Sequence, residues 1–140
     1  MRKERTYTQA LEKLRGAGLR PTRQRLALAK LLFERGNRHV TAEQVHEEAR
    51  GAEIRVSLAT VYNTLHQFTA AGLMREVMVE PGRSHFDTNT DDHHHFLVQD
   101  SGELHDIPAD VLSVDGVPAA PRGTEIERID VIVRVKNGRP

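Results

Sequence analysis

The feature that most limits the folds open to this chain is a change of hydrophobic period at Gly72. Before it, apolar residues recur at helical spacing in four capped segments. Thr8 to Ala17 carries Leu11 and Leu14, with Gly18 placed to end it. Thr22 can cap a second segment through Leu28, Leu31 and Leu32, stopped by Gly36. Thr41, with Gln44 three residues on, is a capping-box pattern that opens a third through Val45 and Ala49. Ser57 can cap a fourth, in which Leu58, Val61, Leu65 and Phe68 form one apolar stripe suited to a core.

After Gly72 the period shortens. Leu73 to Val79 and Ser84 to Thr88 read as strands joined by the turn Glu80-Pro81-Gly82-Arg83. Helices followed by such a hairpin predict a winged helix. Phe96–Val98 and Leu104–Ile107 are further short strands around Ser101-Gly102. Beyond a stretch rich in Pro and Gly, Ile129, Val131, Val133 and Val135 alternate, which predicts a strand with one buried face. The expectation is an α+β chain: a winged-helix DNA-binding domain over residues 1–88, then a small α/β dimerisation and sensing domain over 89–140. Three strands with little helix bury themselves poorly, so pairing with a second copy is expected. Only 38% of the 140 residues are hydrophobic, lean for a monomer of this size.

Net charge is zero but unevenly placed. Residues 1–75 carry 14 Lys and Arg against 7 Asp and Glu, whereas residues 76–140 carry 6 against 13. The basic half predicts a polyanion partner; the acidic half can hold cations. The absence of cysteine excludes disulfides, thiolate zinc sites and cysteine nucleophiles. No run approaches the roughly 18 apolar residues of a membrane span, and no apolar signal segment opens the chain, so a cytoplasmic protein without membrane contact is expected.

Opposite the apolar stripe of the fourth segment stand Ser57, Ala59, Thr60, Tyr62 and Asn63. These groups suit the edges of base pairs in a major groove: Asn can bond adenine on two atoms, and small methyls can meet thymine methyls. Arg15, Arg20, Arg23 and Arg25, with Arg55 just before the helix, are candidate phosphate contacts, which give affinity without sequence information. Five of the eight histidines fall between Arg83 and Asp106, among them the run His93-His94-His95, with Asp87, Asp91, Asp92 and Asp106 nearby. On a strand, His93 and His95 share a face and His94 points away. Imidazoles and carboxylates suit first-row divalent metals.

The segment Gly18-Leu19-Arg20-Pro21-Thr22-Arg23-Gln24-Arg25, His39 before Thr41-Ala42-Glu43, and Ser57-Leu58-Ala59-Thr60-Val61-Tyr62 together resemble the ferric-uptake-regulator (Fur) family. Asn63-Thr64-Leu65, and Asp87-Thr88-Asn89 leading into three histidines, resemble its iron response regulator (Irr) subgroup. The resemblance implies a dimeric regulator, or a higher oligomer, binding a double-stranded operator, with Tyr62 contacting bases. It implies His39, Asp87, His93, His95 and Asp106 as ligands of Fe(II) or Mn(II), with zinc binding in vitro. It also implies operator binding under iron limitation and inactivation by haem, with His93, His94 or His95 as axial ligand. The alternative is a Fur-type regulator activated by Fe(II) or Mn(II). The sequence departs from many relatives in lacking the Cys-x-x-Cys pairs of a structural zinc: Val98 and Ser101 occupy the first pair's positions. A metal-dependent hydrolase built on the same histidines would leave the winged helix unexplained and has no paired general base, so no enzyme is expected.

Overall fold

The computed structural model describes residues 2–80 and 82–138, and the chain divides into two compact units, Met1–Thr90 and Asp91–Pro140. Pro81, in the expected hairpin turn, lies outside the described residues.

The first unit holds α1 (Arg2–Gly16), α2 (Arg23–Phe33), α3 (Ala42–Gly51) and α4 (Leu58–Ala70). Three of these begin where a hydroxyl answers the open amides of the first turn. Thr22, Thr41 and Ser57 accept from the backbone N–H of Arg25, Gln44 and Thr60. At Thr41 the box closes, because the Gln44 amide oxygen accepts from the Thr41 N–H at 2.9 Å. Each such cap is worth about 1 kcal/mol. Helix α1 starts well before the expected Thr8, in a polar stretch with no apolar period to announce it. The stripe of α4 is core: Val61, Leu65 and Phe68 are fully buried among Leu14, Leu28, Leu32, Val45 and Phe86. Truncating Phe68 to Ala there would cost about 3–5 kcal/mol through the cavity left behind.

A three-stranded antiparallel sheet, in the order β1-β3-β2, completes this unit. Strands β2 (Arg75–Glu80) and β3 (Arg83–Asp87) form the wing, and β1 (His39–Val40) joins its open side. Strand β1 has only two residues, too few to show alternation in sequence. It is held by a double exchange: Arg38 N–H donates to the Thr88 hydroxyl and Thr88 N–H to the Arg38 carbonyl, each at 2.9 Å.

The second unit holds β4 (His94–Val98), β5 (Leu104–Ile107) and β6 (Ile132–Val135) in the order β5-β4-β6, antiparallel on one side and parallel on the other. The class is α+β with the helices confined to the first unit among the described residues. The strand expected over Ile129–Val135 with one buried face is corrected to Ile132–Val135. Its residues are half-buried at best, and Ile129 is 39% exposed, because the second unit has no helix of its own among the described residues. Among the described residues of this unit only Leu97, Leu104 and Ile107 are buried apolar residues, and His93 and His95 are buried as well. Among the described residues no helix is long and apolar enough to cross a membrane.

Candidate metal centre and nucleic-acid interface

His95 on β4 has Asp106 of β5 as its antiparallel partner, and His93, the residue just before β4, lies on the same side of the sheet as His95. The Nε2 atoms of His93 and His95 each lie 3.4 Å from the same Asp106 Oδ1. One ligand atom from each residue falls within 4.8 Å of the others. The two rings are nearly buried, whereas the Asp106 side chain is 47% exposed, so the cluster opens to solvent on its carboxylate side.

The hydrogen bonding of His93 decides what this cluster can do. Its Nδ1 lies 2.6 Å from the Asp91 carbonyl oxygen. A carbonyl only accepts, so Nδ1 carries the proton, and a neutral ring must turn the Nε2 lone pair outward. That lone pair faces a carboxylate oxygen, an arrangement relieved by a proton or a metal ion between them. Two imidazole nitrogens and a carboxylate fit a first-row divalent cation. The backbone bond behind His93 fixes ring and tautomer, as partners of metal-bound histidines generally do.

Neighbouring histidines do otherwise. His94 Nδ1 accepts from the Val131 N–H at 3.1 Å, tying β4 to the segment that enters β6. His105 Nε2 faces Glu103 Oε2 at 3.4 Å on the exposed side. In the first unit, β1 lies against β3 with His39 opposite Asp87, and Arg75 of β2 opposite Asp87 on the other side. Directly opposed residues project from the same sheet face, so this register lines up His39, Asp87 and Arg75. Asp87 is buried, and its Oδ1 accepts from the Asn89 N–H at 2.9 Å.

On α4 the residues Ala59, Asn63, His66, Gln67 and Ala70 form one exposed stripe, with Thr60 and Tyr62 half-buried along its borders. Ser57, the exposed N-cap, exchanges bonds with Thr60 at 2.9 and 3.0 Å. Tyr62 donates its hydroxyl to Glu43 Oε1 at 2.7 Å. Arg15, Arg20, Arg23 and Arg55 are exposed. Arg25 differs: it donates to the Arg20 carbonyl at 2.8 Å and, through Nε and Nη2, to Gln67 Oε1 at 3.2 and 3.0 Å. Its guanidinium braces the start of α2 against α4. Beside the N-terminus of α4 runs an open groove of about 1000 Å³ lined in part by Gln24, His46, Arg50, Arg55 and Ser57. Glu43 and Arg50 are absent from the sequence expectations because only packing of α3 against α4 brings them to this face, whereas Gln67, one turn after Asn63 on α4, could have been found by helical spacing.

Residues 16–134 match the model of the ferric uptake regulator family. The chain is 36% identical over 98 residues to the peroxide operon regulator of Bacillus subtilis, covering 70% of this chain and 67% of that protein. It is 34% identical over 100 residues to the ferric uptake regulation protein of Vibrio cholerae, covering 71% and 67%. Its fold is similar to that of the ferric uptake regulator from Pseudomonas aeruginosa solved with manganese, at a TM-score of 0.70 and 27% identity over 93% of this chain and 98% of that one. The Vibrio cholerae regulator superposes with a TM-score of 0.71 at 27% identity, over 90% and 98%. With a helical unit ending in a wing, a histidine–carboxylate cluster and these similarities, the chain belongs to the ferric uptake regulator family of metal-responsive, DNA-binding transcription regulators, which are not enzymes.

Proposed function

We propose that this regulator binds its operator as a dimer through α4, and that a divalent cation held by His93, His95 and Asp106 governs that binding. The observation that carries this reading is the convergence of two imidazole nitrogens on one carboxylate oxygen, with His93 locked in the tautomer that offers Nε2. The family resemblance adds His39 and Asp87 of the first unit as further donors. Three nitrogens and two carboxylates suit five- or six-coordinate Fe(II) or Mn(II) better than closed tetrahedral zinc. Manganese accompanies the similar Pseudomonas regulator. A cation bound by these donors would couple metal occupancy to operator binding by the dimer.

Dimerisation is supported by the thin core of the second unit and by the exposed Val111, Val114, Val117 and Ile126 in its long connection. The deciding experiment is operator binding by metal-free protein, by protein with Mn(II), and by His95→Ala with Mn(II), with sedimentation alongside. Mn(II) should strengthen binding by the unaltered dimer and leave His95→Ala unchanged. A monomer, or equal responses of both proteins, would overturn the reading.

A second reading, inactivation by haem in the manner of the Irr subgroup, is favoured by the three consecutive histidines in a chain without cysteine and by Asn63-Thr64-Leu65 on α4. His93, His94 or His95 would then supply the axial imidazole. Haem titration followed by its absorbance, with operator binding in parallel, separates the two: haem that releases the operator favours the second reading, and no absorbance change rejects it.

A further inference from the structure

Beside the exposed stripe of α4 stands a carboxylate, a charge of the wrong sign for a phosphate partner. Glu43, in the first turn of α3, reaches across to α4 and accepts the Tyr62 hydroxyl at 2.7 Å. Neither partner arrives there loosely. The start of α3 is fixed by the complete capping box at Thr41, and a carboxylate in a first helical turn is favoured by the unpaired amides around it. The Tyr62 ring is half-buried and lies against His66, with centroids 6.4 Å apart. The phenol is thus held at its ring by the helix and at its tip by the carboxylate.

We infer that Glu43 is a positioning residue for operator recognition, holding the Tyr62 ring at the border of the exposed stripe of α4 in the orientation in which DNA meets it. This rests on the reading of α4 as the operator-facing helix. The Glu43–Tyr62 hydrogen bond holds the Glu43 carboxyl below its ordinary range, with a smaller contribution from the charge of Arg83, and holds the Tyr62 phenol above its own. The ionised carboxylate with the neutral phenol is therefore the bonded pair at neutral pH. A carboxylate near DNA weakens binding to every duplex through repulsion. A tyrosine ring has only two side-chain torsions, so one bond at its tip removes much of the freedom that would blur a base contact. Glu43 thus trades affinity for discrimination. An ordinary solvated pair would give the repulsion without the discrimination.

The test uses the full chain and a duplex selected from a random library by the unaltered protein, with a scrambled duplex as the non-specific probe. Glu43→Ala and Tyr62→Phe should each lower the preference for the selected duplex about five- to tenfold. The double variant should fall no further than either single one, because both remove the same bond. Glu43→Gln keeps an acceptor oxygen without the charge, so it should retain the preference and bind both duplexes more tightly. The chain has two tyrosines and no tryptophan, so in a Tyr7→Phe background the phenolate absorbance reports Tyr62 alone. Its titration should move down when Glu43→Ala is added.

An unchanged titration would overturn the contact. An unchanged preference in Glu43→Ala, beside a loss in Tyr62→Phe, would overturn the positioning role and leave α4 as the recognition helix. Multiplying effects in the double variant would do the same. Unaltered operator binding by Tyr62→Ala would overturn the assignment of α4 itself, whatever the titration gives.

Discussion

The imidazole rings of His93 and His95 stand edge to face, with centroids 4.5 Å apart and planes crossed at 61°. Both Nε2 atoms turn toward Asp106 because His93, just before β4, keeps the side of the sheet that His95 takes two residues on. His94, between them, bonds the Val131 N–H instead. The three histidines should therefore separate on substitution. His93→Ala or His95→Ala should weaken Mn(II) binding by at least about tenfold. His94→Ala should leave it nearly intact and cost about 1 kcal/mol of stability through the lost bond to the β6 segment. Calorimetric Mn(II) titration with thermal melts of all three variants checks this, and equal metal loss in all three would contradict it.

The bond between Tyr62 and Glu43 should leave its own mark on stability against pH. The carboxyl of Glu43 is lowered from 4.5, so its contribution is present above that value and fades as pH falls through the folded-state value. The phenol of Tyr62 is raised from 10.0, so its contribution is present below that value and fades as pH rises through the folded-state value. The difference in melting temperature between the unaltered chain and Glu43→Ala should form a plateau between these limits and collapse on both flanks. A difference that stayed constant across acid pH would remove the ionised carboxylate from the account.

What could be read from sequence was whatever depends on near neighbours. Thr22, Thr41 and Ser57 announced three helices because each hydroxyl meets an amide three residues away. The stripe of Val61, Leu65 and Phe68 announced the core because helical spacing alone puts them on one side. Features set by distant pairing were hidden. His39 faces Asp87 only through a two-residue strand that borrows its partner from the far end of the wing. Arg25, whose place in a cluster of arginines suggests a phosphate contact, also bonds Gln67 on another helix. The alternation through Ile129 suggested a longer strand than forms, since alternation does not reveal whether a second layer exists to cover it.

Glu53 also escaped sequence reading, and it offers a stabilising change. Among the described residues it is the one non-glycine residue with positive φ, at 59°. It follows the C-cap Ala52 of α3, where the Glu53 N–H donates to the Arg50 carbonyl and the Ile54 N–H to the Ala49 carbonyl. That left-handed position after a helix is the one glycine fills most readily, because a side-chain Cβ crowds the backbone there. Glu53→Gly should stabilise the first unit by about 1 kcal/mol. For a unit of this size that is a rise in melting temperature of about 4–8 °C. A lower melting temperature would show that the Glu53 side chain contributes more than its backbone strain costs.

Arg23 and Arg25 stand two residues apart at the start of α2, yet the structure gives them different work. Arg23 is exposed, and as a phosphate contact it should matter only when DNA is present. Arg23→Ala should weaken selected and scrambled duplexes alike and reduce the salt slope of binding by about one, with an unchanged melting temperature. Arg25 donates three hydrogen bonds inside the unit, one to the Arg20 carbonyl and two to Gln67. Arg25→Ala should lower stability by about 1–2 kcal/mol, since a charged donor and its acceptors lose one another. It should also weaken the selected duplex more than the scrambled one, because Gln67 lies on the exposed stripe of α4 and loses its brace. Gln67→Ala tests the cause without removing a charge. It should repeat the loss of preference seen in Arg25→Ala while leaving the salt slope intact. If Arg25→Ala instead reproduced Arg23→Ala in every measurement, Arg25 would be a second phosphate contact and the brace to Gln67 would carry no weight in recognition.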